Sequence, residues 1–155
     1  MRLIRKFRGL VAEFGFGNAA LYVSGLALRR ICPRVFVYRY YIVAQPVPEK
    51  NLLPPRRGKA ISVRELKPGD PAFSYLPLDD NVLAYRFAQN VPCLGAFQED
   101  KPIGCLWMCF DAYEEDEIRC TFRLAPADRA SWDFDVYLHP EARLGFAFLR
   151  LWDEA

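Results

Sequence analysis

The sequence predicts an α+β protein: a mixed, mainly antiparallel sheet with flanking helices, preceded by an apolar and basic N-terminal helix. Three observations carry this. Beyond residue 60, segments with the two-residue alternation of strands outnumber those with helical periodicity. They occur in the order strand, helix, several strands of antiparallel type, then helix, which separates this chain from the regular βαβ alternation of parallel sheets. Charge and proline content change together near residue 45, which divides the chain.

Residues 1–39 hold eight arginines or lysines against Glu13, a net +7; with a total of +2, residues 40–155 carry −5. A chain of 155 residues, 52% apolar and 26% charged, has the length and composition of one soluble domain with a real core. Leu10 to Leu28 is largely apolar but is interrupted by Glu13, Asn18 and glycines, and it is followed by Arg29-Arg30. A spanning helix needs about 20 predominantly apolar residues and a signal peptide needs a small-residue cleavage site, so neither pattern is met cleanly. Two readings stay open: a helix packed on the domain or a partner, or an interfacial helix with residues 1–39 in peripheral contact with anionic headgroups. Val35 to Val43 reads as an extended apolar strand. The extension thus covers 1–45, and 46–59, with four prolines between Gln45 and Lys59, reads as a linker or wrapping loop.

The domain proper is expected over 60–155. Ala60 to Leu66 alternates as a strand, and Pro68-Gly69-Asp70 is a turn. Asp79-Asp80 caps a helix over Asn81 to Gln89. Cys93 to Gln98 and Ile103 to Phe110 read as a hairpin across Glu99-Asp100-Lys101-Pro102. Glu114 to Glu117 is read as a solvated acidic turn, and Ile118 to Leu124 alternates again. The terminal unit then runs from Trp132 into a strand, His139-Pro140, an Arg- and Gly-containing turn and an apolar helical pattern. Strict alternation places Trp132, Phe134, Val136 and Leu138 on one face and Asp133, Asp135 and Tyr137 on the other. The second face is either plain solvated surface or a cleft in which a carboxylate deprotonates an amine, directly or through water.

The five cysteines show no CxxC pair and the chain has one histidine, so no metal site is expected and the thiols read as reduced, in a cytoplasmic protein. Cys105 and Cys109 share a strand face and read as packing. His139 precedes a proline and reads as structural. Basic and aromatic residues are not interleaved on the acidic domain, so no nucleic-acid partner is expected.

Val136-Tyr137-Leu138-His139-Pro140-Glu141-Ala142-Arg143 with the helix start that follows resembles the GNAT superfamily of acyl-CoA-dependent N-acyltransferases. AISVRELKPGD, NVLAYRFAQ and LGAFQEDKPIGCLWM are similar to that family's first strand, first-region helix and central hairpin, so the resemblance covers about residues 60–155. It implies an acetyl-CoA-dependent N-acetyltransferase acting on a primary amine. Backbone groups of Val136, Tyr137 and Leu138 would hold the pantetheine arm, and Arg143, Leu144, Gly145, Phe146, Ala147 and Phe148 would form the pyrophosphate turn. Asp133 or Asp135 would take the amine proton. Gly145 and Ala147 each stand one place earlier than the family's spacing, so either the turn is one residue shorter or Phe146 and Phe148 crowd it. The family's next strand and its tyrosine-bearing helix are not found after the terminal pattern, which predicts a partial domain, with a free sheet edge through which two chains could complete each other. A catalytically inactive GNAT-like binding module, peripheral to a membrane or docking a protein, fits the same residues.

Overall fold

Gly15 divides the N-terminal apolar stretch into two helices, α1 (Arg2–Phe14) and α2 (Phe16–Ile31), where one had been expected. It adopts φ 80° and ψ 159°, a backbone conformation that L side chains rarely adopt. The amide of Asn18 donates to Phe14 O at 2.8 Å and closes the end of α1, while Phe7 meets Phe16 edge to face at 6.2 Å. Helix α2 stops at Cys32, whose extended backbone is what a following proline imposes. These features come from a computed structural model, which describes residues 2–39, 42–116, 118 and 120–155, without the side chains of 2–6 and 13.

The strand expected over 35–43 does not form among the described residues; Tyr40 and Tyr41 lie outside them. Residues 35–39 run extended along α2 instead. Arg39 donates to Asn18 Oδ1 at 2.6 Å, the Arg29 guanidinium stands 4.9 Å from the centre of the Phe36 ring, and Val37 lies against Gly25. Apolar character sufficed for extension but not for a sheet.

The chain divides into two compact units, Met1–Gln45 and Pro46–Ala155. In the second, β1 (Ile61–Leu66), β2 (Cys93–Gln98), β3 (Lys101–Cys109) and β6 (Trp132–Leu138) form a four-stranded sheet in the order β1-β2-β3-β6. All three pairings are antiparallel, so the expected parallel component of a mixed sheet is not seen among the described residues. A separate two-stranded ribbon pairs β4 (Ala112–Glu114) with β5 (Thr121–Arg123); of the acidic and alternating segments expected here, Glu117 and Arg119 lie outside the described residues. The β2–β3 turn is tighter than expected. Glu99 and Asp100 both take positive φ, 50° and 63°, a twist that suits a two-residue hairpin, so β3 already begins at Lys101.

Side chains alternate into two cores. One face of the sheet, with Leu66, Cys93, Cys105, Trp107 and Cys109, packs under the 3-10 turn Pro71–Tyr75 and helix α3 (Asp80–Ala88). The other, with Ala96, Leu106, Met108 and Leu138, packs against Ala147 and Leu151 of α4 (Ala147–Glu154). Residues 46–59 wrap onto this second unit. Leu53 is buried, and the amides of Leu52 and Leu53 donate to the Asp153 carboxylate at 2.5 and 3.2 Å. Gly58, at φ +67°, lets the wrap pass Arg150, whose Cγ would stand 2.9 Å from an added Cβ.

The turn after β1 carries a pH-dependent clamp. Asp70 accepts two hydrogen bonds from Arg64, at 2.5 and 3.2 Å, and one from the Ala72 amide at 2.9 Å, capping the 3-10 turn. The Arg64 guanidinium, and after it the Ala72 amide, hold the Asp70 carboxyl below the usual carboxylate range. A depressed carboxylate stabilises the fold above its unfolded-chain value of about 4, and the contribution is lost as pH falls through the folded value. Thermal unfolding should therefore show a stability gap between the protein and Asp70→Asn at pH 7 that closes as pH is lowered from about 4 towards 2. A gap constant over that range would contradict the clamp.

Candidate functional site

Strand β6 does not keep the alternation its sequence suggests. Phe134 faces Trp107 and Tyr137 faces Cys105, so two β6 residues, Asp135 and Val136, stand opposite the single residue Leu106. Asp135 takes φ 47°, a conformation aspartate tolerates better than most residues, and the strand bulges there. The bulge changes the expected faces. Trp132, Phe134 and Tyr137 pack with the α3-side core, whereas Leu138 joins the α4-side core. Tyr137 is thus core-facing rather than part of a polar face.

The two carboxylates are separated as well. Asp133 pairs in register with Met108, on the α4 side, and is exposed; among the described residues its carboxylate makes no hydrogen bond or ion pair. Asp135 instead forms an ion pair with Arg86 of α3, which also binds Asp116 through Nε at 3.1 Å and Nη2 at 2.9 Å. Arg86 is 5% exposed, with its guanidinium 5.1 Å from the Trp107 ring centre and 5.3 Å from that of Phe134. Burial alone would lower the Arg86 pKa; the hydrogen bond with Asp135 and the charges of Asp135 and Asp116 outweigh it, and the net shift is upward. The expected face of two carboxylates and a phenol is therefore replaced by one free carboxylate and one locked salt bridge.

Arg86 and Asp116 were not anticipated as partners. The acidic turn containing Asp116 reads as solvated, and only a cation on the inward face of α3, between Leu83 and Phe87 in the apolar pattern, hinted otherwise. Beside them the Tyr113 hydroxyl is buried next to the Arg86 guanidinium, and burial first, then the Asp116 charge, pushes its pKa up. A hydrogen bond with Cys105, then burial, likewise raises the Cys93 thiol, consistent with packing rather than nucleophilic use.

At the end of β6 the chain turns sharply. The amide of His139 donates to Ile103 O at 2.8 Å, Pro140–Ala142 forms a 3-10 turn, and Arg143 Nε donates back to Leu138 O at 3.0 Å. His139 is exposed and acts through its backbone. Arg143 is a brace across the turn. Gly145 donates to Ala142 O at 3.2 Å, and α4 then begins with Phe146 in the capping position. Ala147 is fully buried against the sheet, Leu144 is fully exposed, and Phe148 stacks on Trp152 at 4.1 Å. Ala147, Phe148 and Leu149 form the first turn of α4, at the positive end of its dipole, where a helix offers its first amides no acceptor of its own.

Comparison with protein-family models, curated proteins and solved structures gives no match. The site therefore stands on its own geometry. The described residues contain no cluster of His, Cys, Asp or Glu able to hold a metal, and no described helix is long and apolar enough to cross a membrane. A shallow cavity of about 440 Å³ lies between the 46–59 wrap, the start of β1 and α4; Arg57, Lys59 and Arg150 line it. Its one carboxylate, Asp153, is already engaged by the amides of Leu52 and Leu53. Arg57 stands 5.8 Å from the Phe146 ring, which carries cationic character towards the start of α4.

Proposed function

We propose that residues 60–155 belong to an N-acyltransferase of the GNAT type, transferring an acetyl group from acetyl-CoA to a primary amine. The observation that carries this reading is the unit formed by bulged β6, the Arg143-braced turn and the start of α4. A helix start with free amides favours a pyrophosphate without any dedicated side chain. Phe146, Ala147 and Phe148 stand at that start, and the Phe148 ring stacks on Trp152. Among the described residues strand β6 pairs only with β3, so the backbone of Val136, Tyr137 and Leu138 lies on a sheet edge that can accept the amides of a pantetheine arm.

Acetyl-CoA supplies the activated thioester; this chain's residues bind it, orient the amine and take the proton. Asp133 is the carboxylate free to do so, directly or through water. Asp135 acts as a positioning residue, fixing the bulge through Arg86. Backbone amides at the bulge would polarise the thioester carbonyl.

Calorimetry of the chain with CoA should show binding, and Asp133→Asn should leave that binding unchanged while reducing acetylation of a panel of primary amines about 100-fold. No heat at millimolar CoA would remove the reading. Locking of Asp135 in a salt bridge favours one other reading, a GNAT-like binding module without turnover. CoA binding with no acetylation of any amine is its signature.

A further inference from the structure

The N-terminal unit exposes more apolar surface than a soluble helical segment needs. Ile31 is 83% exposed, Phe16 70% and Leu26 52%, and Tyr22, Val35, Phe36 and Val37 are exposed with them. At about 100° per residue, Leu21 and Leu28 fall on the side of α2 opposite Val23 and Leu26, and all four are exposed.

The charge of the unit selects among surfaces. Residues 1–39 carry a net +7, with Glu13 the one acidic residue. In α1, Phe7, Leu10, Val11 and Phe14 recur at helical spacing on one arc and Arg8 stands on the other, the pattern of a helix lying in an interface. At the far end of α2, Arg29, Arg30 and Arg34 alternate with Ile31, Val35 and Phe36, and Arg29 lies over the Phe36 ring. Cations beside exposed apolar and aromatic groups match a headgroup layer above an acyl layer. Helix α2 has 16 residues, so its length of about 24 Å falls short of the roughly 30 Å hydrocarbon core.

We infer that Met1–Gln45 docks in the plane of an anionic bilayer surface, with Arg29, Arg30 and Arg34 among lipid phosphates and Ile31 and Phe36 in the acyl boundary. This does not depend on the acyltransferase reading. Flotation of the full chain tests it, using vesicles of phosphatidylcholine alone and vesicles with phosphatidylglycerol added. The chain should float with the anionic vesicles, remain behind with neutral ones, and be released by salt. Removing two cations in Arg29→Gln/Arg30→Gln should weaken partitioning about 25-fold, roughly fivefold per residue, and Ile31→Ser about tenfold. All three positions are exposed, and circular dichroism checks that the variants stay helical. Absence of flotation with anionic vesicles, or flotation unchanged in both variants, overturns the inference. So does a dimer that Ile31→Ser dissociates without any vesicle binding, which would assign this surface to a second copy of the chain.

Discussion

Replacing Arg86 with alanine should lower the unfolding free energy of the second unit by about 3 kcal/mol, a fall in Tm of about 15 °C. The guanidinium is nearly enclosed, and four contacts depend on it: the carboxylates of Asp116 and Asp135, and the ring faces of Trp107 and Phe134. Truncation leaves Asp116, whose side chain is 12% exposed, charged without a partner. Asp135 is 43% exposed and water can rehydrate it, which keeps the loss below the upper range for buried pairs. Two further variants separate charge from packing. Arg86→Lys retains the charge but not the forked geometry, and should lose about half as much. Arg86→Met with Asp116→Asn and Asp135→Asn removes the orphaned charges and should recover much of the loss. Denaturant unfolding measures all three; a cost under about 1 kcal/mol for Arg86→Ala would show that the salt bridge does not hold α3, Asp116 and β6 together.

Gly104→Ala should cost about 3 kcal/mol for a different reason. An added Cβ would meet the Leu138 side chain, and would stand 2.5 Å from Tyr137 O and 3.3 Å from Leu138 Cα. A side chain can rotate away, but a backbone carbonyl in the neighbouring strand moves only if β6 moves. At Gly95 the three nearest atoms, at 2.8 to 3.0 Å, all belong to the Leu66 side chain, so Gly95→Ala should cost less. The difference has a functional consequence. Gly104 lies opposite Leu138, at the end of β6 where the chain turns towards α4, so Gly104→Ala should also weaken CoA binding while Gly95→Ala does not. Thermal unfolding paired with calorimetry checks both. Equal costs at the two glycines would mean that β6 yields as readily as a side chain.

Local features were legible in the sequence. The Asp79 cap sits where aspartate precedes a helical pattern, with Oδ1 accepting from the Asn81 amide at 2.8 Å. The β2–β3 hairpin and the exact span of β6, Trp132–Leu138, follow from alternation bounded by turn residues. Faces within β6 were not legible, because one bulged residue reverses everything beyond it. Strict alternation placed Tyr137 beside Asp133; the bulge moved Tyr137 into the α3-side core and sent Asp135 to Arg86. The sheet expected to be mixed is antiparallel in every described pair, since pairing depends on distant partners that alternation cannot name.

The same division applies to the candidate site. Residue order alone determined that a strand, a proline turn and a helix follow one another at Trp132–Glu154, since periodicity, capping and proline are properties of neighbours along the chain. It also determined the +7 charge of residues 1–39. Tertiary structure alone decided that Arg86, Asp116 and Asp135 meet, across 30 and 49 residues of sequence. It decided too that the 46–59 segment is fastened to Asp153. The cost of enclosing a guanidinium, and the direction in which an amide points, are set by what packs around them, and no local pattern encodes that.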